Sequence, residues 1–129
     1  MKKRFVEKRD REDIVKFDSL FSQYIRARDK NTCLLCGSKT RLSNSHLVTR
    51  QVTILRWDEL NCHTHCWGCN KRHTYHPEIY TAWFLRTYGV EAYLSLVNKA
   101  LLKFPLPDEA QIAVLHKEYT LKLAGLWQT

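Results

Sequence analysis

The chain lacks the long apolar run that a membrane-spanning helix requires. No stretch approaches the ~18 consecutive apolar residues of such a helix. Residues 1–4 are as basic as the start of a secretory signal, but residues 7–13 are all charged, so no apolar segment follows. Internal repeats and low-complexity segments are also missing. We therefore expect a single cytoplasmic domain of 129 residues with no membrane partner.

Acidic residues are scarce in the middle of the chain. Residues 31–77 hold six Lys and Arg but only two carboxylates, Asp58 and Glu59. Residues 1–30 hold ten basic and six acidic residues, whereas residues 78–129 hold five of each. The net charge of +8 therefore belongs to the first 77 residues. A basic surface can serve solubility alone, but it favours a polyanionic partner such as nucleic acid.

The five cysteines are an odd number, which disfavours a disulfide framework and favours metal binding in a reducing compartment. Four of them form two Cys-x-x-Cys pairs: Cys33, Cys36, Cys66 and Cys69. Four thiolates complete a tetrahedral zinc site, which is then closed and structural. Cys62, His63 and His65 are competing ligands beside the second pair. We expect Cys62 to pack as a small apolar residue and both histidines to face solvent.

Apolar residues recur at helical spacing on both sides of the cysteine region. The predicted helices cover residues 11–29, 67–74, 77–88, 91–103 and 108–124. Pro77 suits a first helical turn and Gly89 a helix end, and Asp108 with Gln111 forms a capping box. One helix carries four aromatic residues at helical spacing, Tyr80, Trp83, Phe84 and Tyr88. We expect these to be core residues rather than a platform for stacked bases.

Two short β-prone runs, residues 41–48 and 52–57, predict a hairpin between the cysteine pairs. The hairpin would fill the 29 residues between Cys36 and Cys66, a gap longer than the ~15–20 residues of a simple zinc ribbon. The predicted fold class is thus α+β. A small strand-strand-helix zinc unit over residues 31–76 is followed by a helical extension over 77–125, and the charged residues 1–10 are expected to be disordered.

Several residues in this unit could support phosphodiester hydrolysis, which needs a general base and a cation that stabilises developing charge. His46 suits the base because the unperturbed pKa of imidazole is near 6.5, and Asn61 or its backbone carbonyl could fix its tautomer. Asn70 and His73, spaced i and i+3, share one helix face and could bind a divalent metal; Asp58 is a further candidate. Each has a structural alternative: a buried strand histidine, an asparagine that caps the helix, or a histidine that only contacts phosphate.

The order of these parts resembles the HNH (ββα-metal) nucleases, and within them the phage NinG/Rap recombination endonuclease family. The similarity spans about residues 23–126. The matching stretches are residues 24–29, 33–37, 45–46, 56–61, 66–70, Tyr80 and 88–89. The resemblance implies a ββα-metal HNH-type fold flanked by longer helices, dependence on Mg²⁺ or Mn²⁺, and cleavage of branched recombination intermediates such as Holliday junctions.

Carried over residue by residue, the resemblance makes His46 the general base, Asn61 the residue that orients it, and Asn70 a metal ligand. The four paired cysteines become zinc ligands. Two positions depart from the pattern. Ser45 stands where many HNH nucleases have Asp, and His76 stands where related proteins have Asn, so His76 becomes a further candidate for contact with metal or phosphate.

We therefore expect a zinc-stapled, divalent-metal-dependent DNA endonuclease. Two alternatives remain: a zinc-binding nucleic-acid module without catalysis, and an HNH nicking nuclease with no preference for branches. Four basic residues flank the expected site and are predicted to contact DNA: Arg50, Arg56, Lys71 and Arg72. Symmetric cutting of a four-way junction would suit a homodimer. If the chain is phage-encoded, it is expected to act in the host cytoplasm.

Overall fold

The computed structural model describes residues 11–127. The prediction for residues 1–10 lies outside this part of the chain. The described chain contains helices α1 to α6 and strands β1 and β2. In chain order these are α1 Glu12–Arg28, β1 Leu42–His46, α2 Thr53–Arg56, β2 Cys62–Cys66, α3 Trp67–Tyr75, α4 Pro77–Tyr88, α5 Val90–Ala100 and α6 Glu109–Trp127. The α+β class is confirmed.

The two strands form an antiparallel hairpin in which Leu42 pairs with Cys66 and His46 pairs with Cys62. The prediction of β1 is confirmed, but the prediction of a second strand over residues 52–57 is wrong. That segment is mostly the helical turn α2, which buries Leu55 and Arg56. The strand is instead 62–66, a run rich in potential ligands. Strand propensity depends strongly on tertiary context, and here burial of the α2 side chains outweighed the β-branched residues.

The hairpin has two covered faces. Alternation along the strands directs Cys62 and Thr64 towards α1, where the Thr64 hydroxyl donates to the Ile25 carbonyl at 3.3 Å. The opposite face of β2 carries His63 and His65, which contact α4. Because both faces are covered, the segment 61–65 is almost wholly buried. Strand β1 stops at His46, where the connecting segment 47–61 begins, and His46 lies at this end of the hairpin.

Helices α1 and α6 form the larger hydrophobic core. Its buried members are Ile14, Phe17, Phe21, Ile25, Cys62, Ile112 and Tyr119. Glu59, in the segment between α2 and β2, joins this core to the hairpin. Its carboxylate accepts hydrogen bonds from Tyr24 of α1 at 3.0 Å and from Tyr119 of α6 at 2.7 Å, and it pairs with Lys122 at 2.9 Å. Helices α1 and α6 are therefore both anchored to the segment that leads into β2.

A second core lies under α4 and α5 and contains Leu47, Leu55, Tyr80, Phe84 and Leu96. The expectation that the α4 aromatics are core residues is confirmed for Tyr80 and Phe84, which are both fully buried. The predicted ends of α4 hold, with Gly89 at a positive φ of 91°. The capping box is also confirmed, because Asp108 and Gln111 exchange two hydrogen bonds of 2.8 Å.

No helix in the described part of the chain is both long and apolar enough to cross a membrane.

Candidate functional site

The four paired cysteines converge on one point. Their sulfur atoms all lie within 4.8 Å of one another, and the Sγ atoms of Cys36 and Cys66 are 3.6 Å apart. Gly37, with a φ of 81°, closes the first knuckle by donating its N–H to the Cys33 carbonyl at 2.8 Å. Donation from the Cys69 backbone N–H lowers the pKa of the Cys66 thiol to about 7, which favours a thiolate ligand. Four soft ligands in such a cluster fit a structural zinc ion.

The neighbours of this cluster are not part of it. Cys62 is fully buried against α1, as expected, and burial raises the pKa of its thiol. The expectation that His63 and His65 face solvent is wrong, because both are fully buried. The ring of Tyr80 covers them, with its centroid 4.3 Å from that of His65. Burial lowers the pKa of His63 to about 3 and that of His65 to about 4, so both are neutral at pH 7.

His46, the last residue of β1, is half-buried and held through one ring nitrogen. Its Nε2 lies 2.9 Å from the backbone carbonyl of Arg56. A carbonyl can only accept, so Nε2 carries the proton and Nδ1 carries the lone pair of the neutral ring. Burial lowers the pKa of His46, so the neutral form dominates at pH 7. Within residues 11–127, Nδ1 has no hydrogen-bond partner. The ring is thus fixed in the tautomer that leaves Nδ1 able to accept a proton.

Asn61 does not touch the imidazole, contrary to expectation. Its fully buried carboxamide accepts from the Val48 N–H at 2.8 Å and donates to the carbonyls of Val48 and Leu55 at 2.9 and 3.0 Å. These bonds close the segment between the strands and so place the Arg56 carbonyl that holds His46. Asn61 therefore positions the His46 ring through the backbone. The contact between the Arg56 carbonyl and His46 could not be predicted from the sequence, because every residue carries a backbone carbonyl.

Asn70 links α3 to β1. Its Oδ1 accepts a hydrogen bond of 2.8 Å from the Ser45 hydroxyl, and its Nδ2 donates to Ser43 Oγ at 3.4 Å. The alternative role as a helix cap does not apply, because Cys66 occupies the cap position and Asn70 lies in the helix. Sequence reasoning treated Ser45 only as a poor replacement for Asp, whereas the structure makes it the partner of Asn70. Two neutral oxygens, Ser45 Oγ and Asn70 Oδ1, thus lie side by side, and Ser45 directly precedes His46 in sequence.

This oxygen pair fits Mg²⁺ or Mn²⁺ in ligand type but not in charge. Hard divalent cations prefer oxygen ligands and usually need one or two carboxylates together with substrate phosphates. Among residues 11–127, the cysteine cluster is the only group of three or more His, Cys, Asp or Glu side chains close enough to share a metal. A divalent ion at Ser45 and Asn70 would therefore depend on phosphate for its remaining negative charge.

The three other candidate ligands lie in separate surroundings. His73 Nε2 is 3.4 Å from the Leu47 carbonyl, and His76 is exposed and pairs with Glu78 at 3.2 Å. Asp58 accepts from Lys99 at 2.8 Å and from the Leu60 N–H at 2.9 Å. None of them joins the Ser45–Asn70 pair through a hydrogen bond in the described residues. The assignment of His73, His76 and Asp58 as ligands of a catalytic metal stays a prediction.

Comparison with known proteins identifies the family of this chain. The family model described as bacteriophage lambda NinG protein matches residues 1–125. The chain belongs to this phage protein family. A search of curated proteins and a search of solved structures each gave no match.

Three of the four basic residues expected to contact DNA in this NinG-family chain are exposed: Arg50, Lys71 and Arg72. Arg56 is not. It is only 6% exposed, and its guanidinium forms a two-point ion pair with Asp18 of α1. Asp18 neutralises the positive charge of Arg56 inside the protein. The expectation that the Arg56 side chain contacts DNA is therefore wrong, and its role is structural. Its backbone carbonyl, which holds His46, is its contribution to the site.

A further residue of this NinG-family chain was not assigned a site role from sequence. The hydroxyl of Tyr80 donates to the Ser45 carbonyl at 3.3 Å and lies 2.6 Å from His63 Nδ1. Since the hydroxyl proton is used on Ser45, the proton between Tyr80 and His63 belongs to Nδ1. This chain of hydrogen bonds fixes β1 at the residue before His46. Helix α4 thus supports the site, although it contributes no group to its surface.

Proposed function

We propose that this protein is a zinc-stapled, divalent-metal-dependent endonuclease of the HNH type that hydrolyses phosphodiester bonds in DNA. The single observation that carries the proposal is the state of His46. Its ring is neutral, its Nε2 donates to the Arg56 carbonyl, and its Nδ1 has no hydrogen-bond partner within residues 11–127; it directly follows Ser45, which donates to Asn70. A positioned neutral imidazole is the group that activates water in general-base catalysis, and a hydroxyl and an amide oxygen are ligand types that a divalent ion can use.

In the proposed reaction, DNA lies across the end of the hairpin at which β1 stops with His46. Nδ1 of His46 takes a proton from the attacking water, and the Arg56 carbonyl stabilises the imidazolium by accepting from Nε2. Ser45 and Asn70 would hold the divalent ion, which would stabilise the charge that develops on the phosphate and leaving oxygen. Asn61 keeps the connecting segment in place, and Lys71 and Arg72 on the exposed side of α3 bind the backbone phosphates.

The proposed substrate class is branched recombination DNA, with Holliday junctions as the leading example. It is supported by membership of the phage NinG family together with the charge of the first 77 residues. The sequence resemblance supplies the branch preference. The zinc cluster would serve as a folding staple and take no part in the chemistry, because four thiolates leave no open coordination position.

The test is cleavage of four-way, flapped and linear DNA in Mg²⁺ or Mn²⁺ by wild-type protein, His46→Ala and a control, His116→Ala, on the exposed side of α6. His46→Ala should lose about 10²- to 10⁴-fold in rate, the usual worth of general-base catalysis. Zinc content and DNA affinity should be unchanged. The wild-type rate should fall at acid pH with a midpoint below the ordinary histidine value, because burial lowers the pKa of His46. Equal rates for His46→Ala and wild type would refute the proposal.

A second candidate function is a zinc-binding nucleic-acid module without catalysis. The observation that favours it is Ser45, since a hydroxyl is a weaker metal ligand than a carboxylate. Under this alternative, wild-type protein would bind all three DNA substrates with strong salt dependence but cleave none of them at any Mg²⁺ or Mn²⁺ concentration.

A further inference from the structure

Trp67 is an exposed aromatic residue one helical turn before Asn70. It opens α3, and 53% of its surface is exposed. Two cations lie over its ring: the Arg41 guanidinium carbon is 5.1 Å from the ring centroid, and Lys71 Nζ is 4.9 Å from it. Trp127 is more exposed, at 71%, yet no cation lies over its ring in the described part of the chain. The Trp67 indole therefore lies in a positive electrostatic field. Exposure alone does not account for the two cations, because the more exposed Trp127 has none among the described residues.

The backbone holds this group in place. The Trp67 N–H donates to the Arg41 carbonyl at 2.8 Å, which continues the hairpin one step beyond the Leu42–Cys66 pair. Arg41 adopts a φ of 55°, a conformation that residues with a side chain rarely take. Such a conformation persists only where the surrounding contacts enforce it, and such positions concentrate at ligand sites.

The charge of this group is not neutralised by the protein. Neither Arg41 nor Lys71 forms an ion pair within residues 11–127. The two carboxylates of the middle region, Asp58 and Glu59, are already paired with Lys99 and Lys122. An anionic ligand is therefore the natural partner of both cations. Phosphate is a stronger partner for a cation than an aromatic face is, so a bound strand would draw the cations outward and uncover the indole.

We propose that Trp67, with Arg41 and Lys71, binds an unpaired nucleobase of the DNA substrate and its flanking phosphates. This inference rests on the proposed function. In a duplex both faces of a base are covered by its neighbours, so only an unstacked base can offer a face to the indole. An aromatic platform bordered by cations is the usual means of holding single-stranded DNA. Four residue steps separate Arg41 from Ser45, about 13 Å along the strand, which places the platform a few nucleotides from the proposed reaction site.

The experiment compares two DNA probes in the full-length His46→Ala protein, which should not cut them. One probe is a fluorescent duplex with a three-nucleotide single-stranded gap, and the other is the same duplex fully paired. Binding is measured by fluorescence anisotropy at one fixed salt concentration. The variants are Trp67→Ala and Trp67→Phe, with Trp127→Ala as the matched control. Trp67→Leu is added because it keeps apolar bulk at a position next to a zinc ligand.

Trp67→Ala and Trp67→Leu should weaken binding of the gapped probe by about 5- to 100-fold, the range expected from loss of one base–aromatic stack. Binding of the paired probe should change less than twofold, Trp67→Phe should retain most of the affinity, and Trp127→Ala should match the parent. Zinc content of each variant checks that it is folded. If Ala fails this check, the Leu and Phe variants decide.

Equal losses on both probes, or no loss on either, would overturn the inference while leaving the proposed function intact. If the wild-type protein binds neither probe and cleaves no DNA, both fail together. The two failures are therefore distinguishable within one set of measurements.

Discussion

The ion pair between Arg56 and Asp18 offers the sharpest test of how the site is built. Asp18 Oδ1 accepts from Arg56 Nε at 3.1 Å and from the Trp57 indole at 2.8 Å, while Oδ2 accepts from Arg56 Nη2. The side chain of Arg56 is 7% exposed and that of Asp18 is 24% exposed. This pair fixes the 52–57 segment onto α1 and so fixes the carbonyl that holds His46. We predict that Asp18→Asn destabilises the protein far more than loss of a surface charge would.

The magnitude follows from burial. Removing one partner of a buried pair costs about 3–5 kcal/mol because the other charge is left unpaired. Water reaches the quarter-exposed Asp18, so we expect about 2–3 kcal/mol here. For a chain of this size that corresponds to a fall in Tm of about 6–15 °C. The double variant Asp18→Asn with Arg56→Met should recover part of the loss, because it also removes the buried guanidinium that Asp18 balances.

Urea unfolding, followed by circular dichroism at a fixed zinc concentration, measures the effect. The matched control is Glu12→Gln, which removes an exposed pair with Lys16 on the same helix and should cost less than about 0.5 kcal/mol. Asp18→Asn should also slow cleavage while leaving DNA affinity unchanged. A loss no greater than that of Glu12→Gln, or a selective loss of DNA affinity in Arg56→Met at full stability, would show that Arg56 faces DNA after all.

Three further predictions address metal and DNA binding. Cys66→Ala should abolish stoichiometric zinc and unfold the protein, because zinc binding is coupled to folding. Cys62→Ala should keep one zinc per chain by elemental analysis. Folded wild-type protein without zinc would contradict this prediction. Ser45→Asp should lower the Mg²⁺ concentration for half-maximal cleavage by on the order of tenfold, because it adds a charged ligand beside Asn70; an unchanged titration would remove Ser45 from the metal site. Neutralising Lys71 and Arg72 should reduce the slope of log affinity against log salt concentration by the equivalent of about two phosphate contacts. Neutralising Lys103 and Lys117 should leave that slope unchanged. Equal effects of the two pairs would count against the proposed placement of the DNA.

Much of the framework could be read from the sequence. The helical period located α1 and α4 to within a residue or two, because both bury one regular apolar stripe. The cysteine spacing predicted the four-thiol cluster, since two knuckles must meet at one ion. Asn70 and His46 were singled out by residue type and order, and the structure gives each a defined hydrogen-bond partner.

The partner of β1 could not be read in the same way. The composition of residues 52–57 is typical of a strand, whereas that of residues 62–66 is typical of metal ligands. Only residues 62–66 are packed against other elements on both faces. The burial of His63 and His65 follows from that cover and from Tyr80, which arrives from a later helix. The inward turn of Arg56 depends on Asp18, some 38 residues earlier in the chain. Each of these wrong predictions depends on a contact between residues far apart in sequence, which local sequence patterns do not encode.

The attachment of Glu59 to both α1 and α6 bears on how the protein can be divided. By sequence, the zinc unit ends near residue 76 and the rest reads as an appendage. In three dimensions, Tyr119 and Lys122 hold the carboxylate that lies three residues from Arg56 and two from Asn61. A fragment cut after α5 would leave Phe17 and Phe21 without the cover of Tyr119, and Glu59 without two of its partners. The smallest unit able to hold His46 in place therefore includes the C-terminal helix α6, and excising residues 31–76 alone would loosen the His46 ring.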